Sequence, residues 1–203
     1  MERPAFDVFE FTEELVKSKL CPIIGKSSQS LYLLNYLVDI KANTVLVEHS
    51  YIDKDYLMDY SNFYSRSFEV EKYTKRLHFF NEGFDRADFE LLFENNENFI
   101  DSLRLSYLGF IVVKPIKIPV NNKLEPLIGR TVLQTYDPDD GTDRRQYLKN
   151  TYKVSLFGLR LEIQSLPFQA QDFAVAACAT TALWIALHPL NHLFETQKNA
   201  HLR

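Results

Sequence analysis

A run of small and apolar residues near the C-terminus constrains the fold of this chain more than any other feature. No aspartate, glutamate, lysine or arginine interrupts the sequence between Asp172 and Glu195. The apolar part of this run, Phe173 to Leu187, has about 15 residues, fewer than the roughly 20 of a membrane-spanning helix. A helix that is apolar on nearly all sides must be covered by protein. The sequence therefore predicts a buried helix from about Ala174 to Leu187, with Trp184 packed against the N-terminal region.

This apolar run contains Cys178, and three polar side chains precede it. Pro167 ends the preceding extended segment, because proline cannot donate a hydrogen bond to a sheet ladder. Gln169, Gln171 and Asp172 then follow. Small neighbours leave the approach to the sulfur open, and the N-terminus of a helix favours a thiolate through its partial positive charge. Cys178 is therefore a candidate nucleophile. The alternative is a buried, inert thiol, since free cysteine is among the most buried residue types.

The order of these residues resembles the papain-like cysteine peptidases. In that family a glutamine donates to the oxyanion, and a cysteine at the start of a helix attacks the carbonyl carbon. The resemblance implies Cys178 as nucleophile and Gln171 or Gln169 as oxyanion donor. Gln171 lies seven residues before Cys178, one more than in the family, and Asp172 stands where the glutamine is expected. Trp184 lies six residues after the cysteine rather than beside it.

A longer resemblance covers most of the chain. Its segments run in order before the cysteine and are Tyr51–Tyr56, Arg76–Phe80, Gly109–Pro115 and Ile128–Thr131. Together they resemble uncharacterised bacterial proteins that carry a papain-like, C39-like peptidase region. The resemblance implies an α/β N-terminal domain over residues 1–165 and the start of a papain-like region over residues 166–203. It also implies a protein or peptide substrate and no cofactor.

The general base is the part of this chemistry that the sequence leaves open. In papain-like enzymes the base stands on a sheet after the cysteine helix, and this chain has no strand-rich segment after Trp184. His188 lies ten residues after Cys178, about 15 Å along one helix and too far for a hydrogen bond. We therefore expect a base beyond Arg203, a chain that is a fragment, and no peptidase turnover from these residues alone. The alternative function is a non-catalytic module whose aromatic-rich N-terminal part binds another protein.

Composition narrows the remaining function classes. The 203 residues are 46% apolar with a net charge of −4, which argues against a general nucleic-acid or anionic-membrane binder. Two cysteines, Cys21 and Cys178, make no disulfide framework, and no signal peptide is visible, so a cytoplasmic setting is expected. The acidic loop Asp137–Asp143 lacks the closing glutamate of an EF-hand, and there is no zinc-spaced Cys/His cluster. No metal site is predicted.

Periodicity predicts an α+β fold, with a mixed sheet and flanking helices leading into the buried C-terminal helix that opens the papain-like region. The strongest strand signal is the apolar run in Tyr107 to Lys114, typical of a strand covered on both faces. Three prolines, Pro115, Pro119 and Pro126, favour a loop over Lys117 to Pro126. The other predicted elements are a helix over Phe6–Leu20, a helix from Leu31 capped within Ser27–Ser30, a helix capped by Asp53, and a hairpin around Gly158.

Overall fold

A computed structural model describes residues 5–64, 71–91, 97–120, 122–136, 149–169 and 178–187. Within these ranges the strands are β1 (Phe6–Glu10), β2 (Thr44–Tyr51), β3 (Thr74–Phe80), β4 (Tyr107–Val120), β5 (Lys123–Leu133), β6 (Asn150–Leu156) and β7 (Leu159–Ser165). The helices are α1 (Glu13–Leu15), α2 (Cys21–Ile24), α3 (Ser28–Asp39), α4 (Lys54–Asp59), α5 (Arg86–Glu90), α6 (Glu97–Ser106) and α7 (Cys178–Leu187). Two π-helical turns follow α1 and α4, at Val16–Leu20 and Tyr60–Tyr64.

The central element is a five-stranded sheet in the order β1-β2-β3-β4-β5, and β6 pairs with β7 in a separate hairpin. The α+β class is confirmed. The strand directions differ from the mixed sheet that we expected, since all the described pairings are antiparallel. The physical reason lies in the connections. Each connection between consecutive strands of this sheet begins and ends at the same end of the sheet, so that neighbouring strands run in opposite directions.

Both faces of the five-stranded sheet are covered. On one face, α2 and α3 contribute Ile24, Leu33 and Leu37 to a core with Val45, Leu77 and Ile111. On the other face, the β6–β7 hairpin, α5 and α6 contribute residues such as Val154, Leu161, Phe89 and Leu103, which pack with Leu46, Phe110 and Val112. The predicted strand in Tyr107–Lys114 is confirmed inside the sheet, and its residues Phe110 to Val113 are buried alternately in the two cores.

The helix predicted over Phe6–Leu20 is wrong at its start, where the chain forms strand β1. Phe6 and Phe9 are three residues apart, which fits one side of a helix. In a strand, residues three apart face opposite sides. Phe6 accordingly packs in the core under the hairpin and Phe9 in the core under the helices. A sheet that is covered on both faces can bury both rings, so the strand satisfies the same apolar pattern.

The loop predicted over Lys117–Pro126 is also wrong, because β4 and β5 continue through most of it as a long ribbon. The register joins Lys117 to Pro126 and Val120 to Lys123. β3 pairs with β4 only as far as Val113. Beyond that point β4 has a single partner, and β5 is the edge of the sheet. Proline is tolerated on such edges, since a missing N–H breaks no ladder hydrogen bond there.

Local chemistry fixes the two helix caps and the hairpin that the sequence predicted. The side chains of Ser27 and Asp53 accept hydrogen bonds from the backbone N–H groups of Ser30 and Tyr56 and cap α3 and α4. Phe157 and Gly158 both have positive φ, at 47° and 93°. Two consecutive residues of positive φ between paired strands make the turn type that matches the twist of a hairpin.

Helix α7 forms within the predicted range, but the expectation that it is buried is not met for its described side chains. Leu183 is 45% and Leu187 is 38% exposed, and Ala182 and Ala186 are exposed as well. The apolar sequence of α7 requires cover on this face, and the fold described here does not supply it. None of the described helices combines the length and apolar character that crossing a bilayer requires.

Gly109 provides a test of the packing of β4 against β5. Its φ is +115°, and an added Cβ would lie 2.1 Å from the carbonyl oxygen of Val132. We expect Gly109→Ala to lower the free energy of unfolding by about 3 kcal/mol or more, since strain and a backbone clash add. Gly158→Ala is the matched control. Its φ is +93° with no atom within 4 Å, so that strain alone should cost about 1–2 kcal/mol. Equal losses in urea denaturation would contradict the packing argument.

Candidate functional site

A cluster of polar side chains lies between the sheet and the β6–β7 hairpin. It consists of Glu48 on β2, Arg76 and His78 on β3, and Tyr107 at the start of β4. Arg76 and His78 are two residues apart, so both point to the same face of the sheet. Glu48 is directly opposite Arg76 in the register. We call these four residues the buried polar cluster. It stands inside the otherwise apolar core under the hairpin.

Arg76 holds the buried polar cluster to the hairpin. Its Nε and Nη2 atoms lie 3.0 Å and 2.9 Å from the same oxygen, Oε2 of Glu48. Nη2 also donates to the carbonyl oxygen of Ser155 on β6 at 2.6 Å. The guanidinium stacks 3.9 Å from the centroid of the Tyr51 ring. A buried guanidinium with a carboxylate, a carbonyl and an aromatic face around it has its charge compensated.

His78 is fully buried and neutral at ordinary pH. Its Nδ1 atom forms a 3.0 Å hydrogen bond with the hydroxyl of Tyr107, and Nε2 lies 3.6 Å from Oε2 of Glu48. Burial lowers the pKa of His78 to about 4, against the opposing attraction of Glu48. Burial alone would raise the pKa of Glu48, but the facing His78 ring and Arg76 guanidinium outweigh it and hold that pKa below its ordinary value.

A second set of ion pairs attaches α4 to the sheet. Nη2 of Arg130 on β5 donates to Oδ2 of Asp53 at 2.8 Å, and Nη1 lies 3.7 Å from Asp55. Burial opposes the charge of Arg130, yet these two carboxylates raise its pKa above the ordinary value. At the other end of α4, Asp59 lies 2.9 Å from Nζ of Lys114 on β4. Carboxylates at both ends of α4 therefore meet cations on β4 and β5.

The two described histidines differ in their access to solvent. His78 is closed off from solvent, so it cannot reach a substrate. His49 lies on β2, where Nε2 is 2.8 Å from Oδ2 of Asp7, and it stays partly accessible. His188, His192 and His201 lie outside the described residues.

The structure accounts for only part of the site predicted from the sequence. Gln169 is half-buried and directly follows Phe168, whose N–H and C=O pair with Thr131 on β5 at 2.8 Å and 2.7 Å. Gln171 and Asp172 lie outside the described residues. Cys178 is the first described residue of α7. The bridge at Phe168 thus fixes the start of the cysteine segment to the outer edge of the sheet, and Gln169 is the predicted site residue nearest to that bridge.

The sequence analysis assigned no role to Glu48, Arg76 or Arg130. A usable signal exists for Arg76 and His78, because two polar side chains alternate with apolar ones in an extended run before Phe79 and Phe80. In the part of the chain that the structure describes, no group of three or more His, Cys, Asp and Glu side chains is placed to hold a metal ion. The acidic loop Asp137–Asp143 lies outside that part.

Comparison with protein-family models, with curated proteins and with solved structures finds no match to this chain. The fold and the site define an α+β domain with a sheet covered on both faces and ion pairs buried within its layers. The resemblance to papain-like peptidases therefore rests only on the sequence motifs around Cys178 and on the segments that precede it.

The pKa of His78 gives a pH dependence of stability. Unfolded His78 binds a proton near its ordinary pKa of 6.5, whereas the folded protein binds it only near 4. The unfolded state therefore holds more protons between these values, and the stabilisation present above pH 6.5 is lost as the pH falls toward 4. The loss should amount to about 3 kcal/mol. Urea denaturation over this range measures it.

A variant identifies the titrating group. His78→Leu should flatten the dependence of the unfolding free energy on pH between 6.5 and 4, although it also destabilises the protein by leaving the hydroxyl of Tyr107 without its hydrogen-bond partner. His49→Gln, at the partly accessible histidine, is the control and should leave most of the slope. An unchanged slope in His78→Leu would assign the titration to another group.

Proposed function

We propose that this chain carries the nucleophile of a papain-like cysteine hydrolase that acts on peptide or isopeptide bonds, with Cys178 as that nucleophile. The observation that best supports the proposal is the junction at Phe168. Two backbone hydrogen bonds to Thr131 attach the chain to the sheet edge just before the cysteine segment. Catalysis requires a nucleophile held in a defined geometry. The bridge at Phe168 supports this requirement, because it gives the segment that leads to Cys178 a defined starting position on the sheet.

The proposed chemistry is acyl transfer. The Cys178 thiolate attacks the carbonyl carbon, a bond forms between Sγ and that carbon, and the carbonyl electron pair moves to oxygen. Gln171 or Gln169 donates a hydrogen bond to this oxyanion, and Asp172 is the third polar group of the segment. Collapse of the intermediate expels an amine, which takes a proton from the protonated base. Water then hydrolyses the thioester, releasing the acid and regenerating the thiol.

The base in this proposal is a histidine other than His78, because His78 is buried and bonded to Tyr107. The papain-like order places the base after the cysteine. His49, the other described histidine, comes before Cys178 and lies beside Asp7. A cytoplasmic setting belongs to the same proposal, since a thiol nucleophile must stay reduced. The buried, free thiol of Cys21 is compatible with that setting.

A specific observation favours a second function, that of a protein-interaction module. The outer side of α3 exposes three large apolar side chains, Leu31, Tyr32 and Val38, which are 53%, 62% and 63% exposed. Clustered exposed apolar side chains are typical of surfaces that bind other proteins. In this alternative Cys178 is a structural thiol, and its reactivity distinguishes the two functions.

Thiol labelling tests the nucleophile. Cys21 is buried at 8% exposure and has no functional neighbours in the sequence, whereas the proposal requires an accessible Cys178 of lowered pKa. We expect a thiol-directed electrophile to label Cys178 faster than Cys21 in the folded chain. The rates are measured by mass spectrometry over a pH series. Equal, slow labelling of both cysteines with alkaline midpoints would favour the interaction module and remove the main support for a nucleophile.

Turnover tests the base. We expect these 203 residues alone to hydrolyse no peptide substrate, because an unassisted thiol of pKa near 8.5 holds little thiolate at neutral pH. Peptide hydrolysis that Cys178→Ser abolishes would contradict this expectation. His49→Gln would then be the first variant to measure, with His78→Leu as the comparison. Loss of turnover in His49→Gln with retained labelling of Cys178 would identify His49 as the base.

A further inference from the structure

The outward side of α3 is a continuous stripe that carries almost no charge. The side chains that α3 exposes recur every three or four residues, so they lie along one side of the helix, opposite the buried Leu33 and Leu37. They are Ser28, Leu31, Tyr32, Asn35, Val38 and Asp39, and we call them the α3 stripe. Only Asp39, the last residue of α3, is charged. A helix that faces water ordinarily carries charged residues on its outer side, so the α3 stripe is suited to contact with an apolar surface.

Helix α7 exposes a second uncharged surface. Ala182 and Ala186 are four residues apart, and so are Leu183 and Leu187; all four are exposed. Residues four apart form a row along a helix, so a row of alanine methyl groups runs beside a row of leucine side chains. The small residues leave a groove into which a ridge of larger side chains on another helix can pack. The large apolar side chains of the α3 stripe are suited to form that ridge.

A second copy of the chain can cover both surfaces at once. Within one chain they do not cover each other, since the side chains of both are exposed in the same structure. Each copy carries one of each surface, so in a two-fold pair α3 of either copy contacts α7 of the other, and the contact is made twice. The repetition matters because α3 and α7 have only 12 and 10 residues, whereas specific interfaces bury about 1,200 Å² or more. Both surfaces also lack charge, as the centres of protein interfaces do.

We propose that this chain forms a two-fold dimer in which α7 of each copy packs on the α3 stripe of the other. The proposal rests on the second of the two functions above, the interaction module, and names a second copy of this chain as the partner of α3. It does not depend on the chemistry of Cys178. In the dimer α7 gains the cover that its apolar sequence requires, and the α3 stripe is removed from water in the same contact.

Sedimentation equilibrium of the whole 203-residue chain over a concentration series tests the dimer. We expect the mass to rise from 23.8 kDa to twice that value, with a Kd in the micromolar range or below. Val38→Asp in the α3 stripe and Leu183→Asp on α7 should each raise the Kd about tenfold or more, because each places a carboxylate in an apolar contact. Leu105→Asp on α6 is the matched control and should change the Kd by less than about twofold. Leu105 is 88% exposed, and like Val38 it is the last residue but one of its helix.

The two interface variants also distinguish this dimer from other assemblies. A Kd raised by Val38→Asp alone would indicate α3 packed on α3, and a Kd raised by Leu183→Asp alone would indicate α7 packed on α7; either result would overturn the proposal. A chain that stays monomeric well above micromolar concentration, or one that forms larger assemblies, would overturn it as well. Circular dichroism at a concentration where all chains are monomeric should be the same for the three variants and the natural chain, which shows that each is folded.

Thiol labelling separates this proposal from the hydrolase. Cys178 that reacts rapidly in a chain that stays monomeric would overturn the dimer and keep the hydrolase. Slow, equal labelling of both cysteines in a chain that dimerises through α3 and α7 would do the reverse.

Discussion

The ion pair between Arg76 and Glu48 is the interaction on which the covered sheet depends. A guanidinium in an apolar layer costs several kcal/mol in lost hydration, and only well-placed partners offset that cost. Glu48 provides the opposite charge, and the carbonyl oxygen of Ser155 takes a further hydrogen bond. Removing one member of such a pair costs about 3–5 kcal/mol, because the other charge stays buried. Apolar contacts have no preferred direction, but the hydrogen bond from Arg76 to Ser155 does. It fixes the position of the hairpin on the sheet, since only one placement brings Ser155 to Arg76.

That placement determines where the chain goes next. β7 leads through Leu166 and Pro167 to Phe168, which pairs with Thr131 on the opposite side of β5 from β4. The hydroxyl of Ser165 donates to the carbonyl oxygen of Leu133 and strengthens the same junction. The position of Gln169 thus follows from the hairpin, and the position of the hairpin follows from Arg76. Residues of the buried polar cluster can influence the proposed cysteine site without touching a substrate.

Local patterns predicted the elements whose determinants are local. The caps within Ser27–Ser30 and at Asp53, the apolar run of Phe110–Val113 and the turn at Gly158 each act within a few residues, and all of them form as predicted. Long-range partners decided the rest. Phe6 lies in a strand because both sheet faces are covered, and Pro126 is extended because β5 is an edge. Nothing local pairs Glu48 with Arg76, which are 28 residues apart, and the local signal for Cys178 does not include its distance to any base.

The apolar residues of β4 and those of α7 differ in whether the described structure buries them. In the sheet, the residues of β4 are buried by two independent cores, and the charges among them are paired. In α7, Leu183 and Leu187 stay exposed although the helix carries no charged residue. Burying one such side chain fully would contribute roughly 1.5–3 kcal/mol of favourable free energy. The exposed side chains of α7 therefore favour association with another apolar surface, whereas those of the sheet are already buried. The sheet therefore buries its apolar residues in its own two cores, and the helix that follows it in the chain exposes apolar side chains to which another surface can bind.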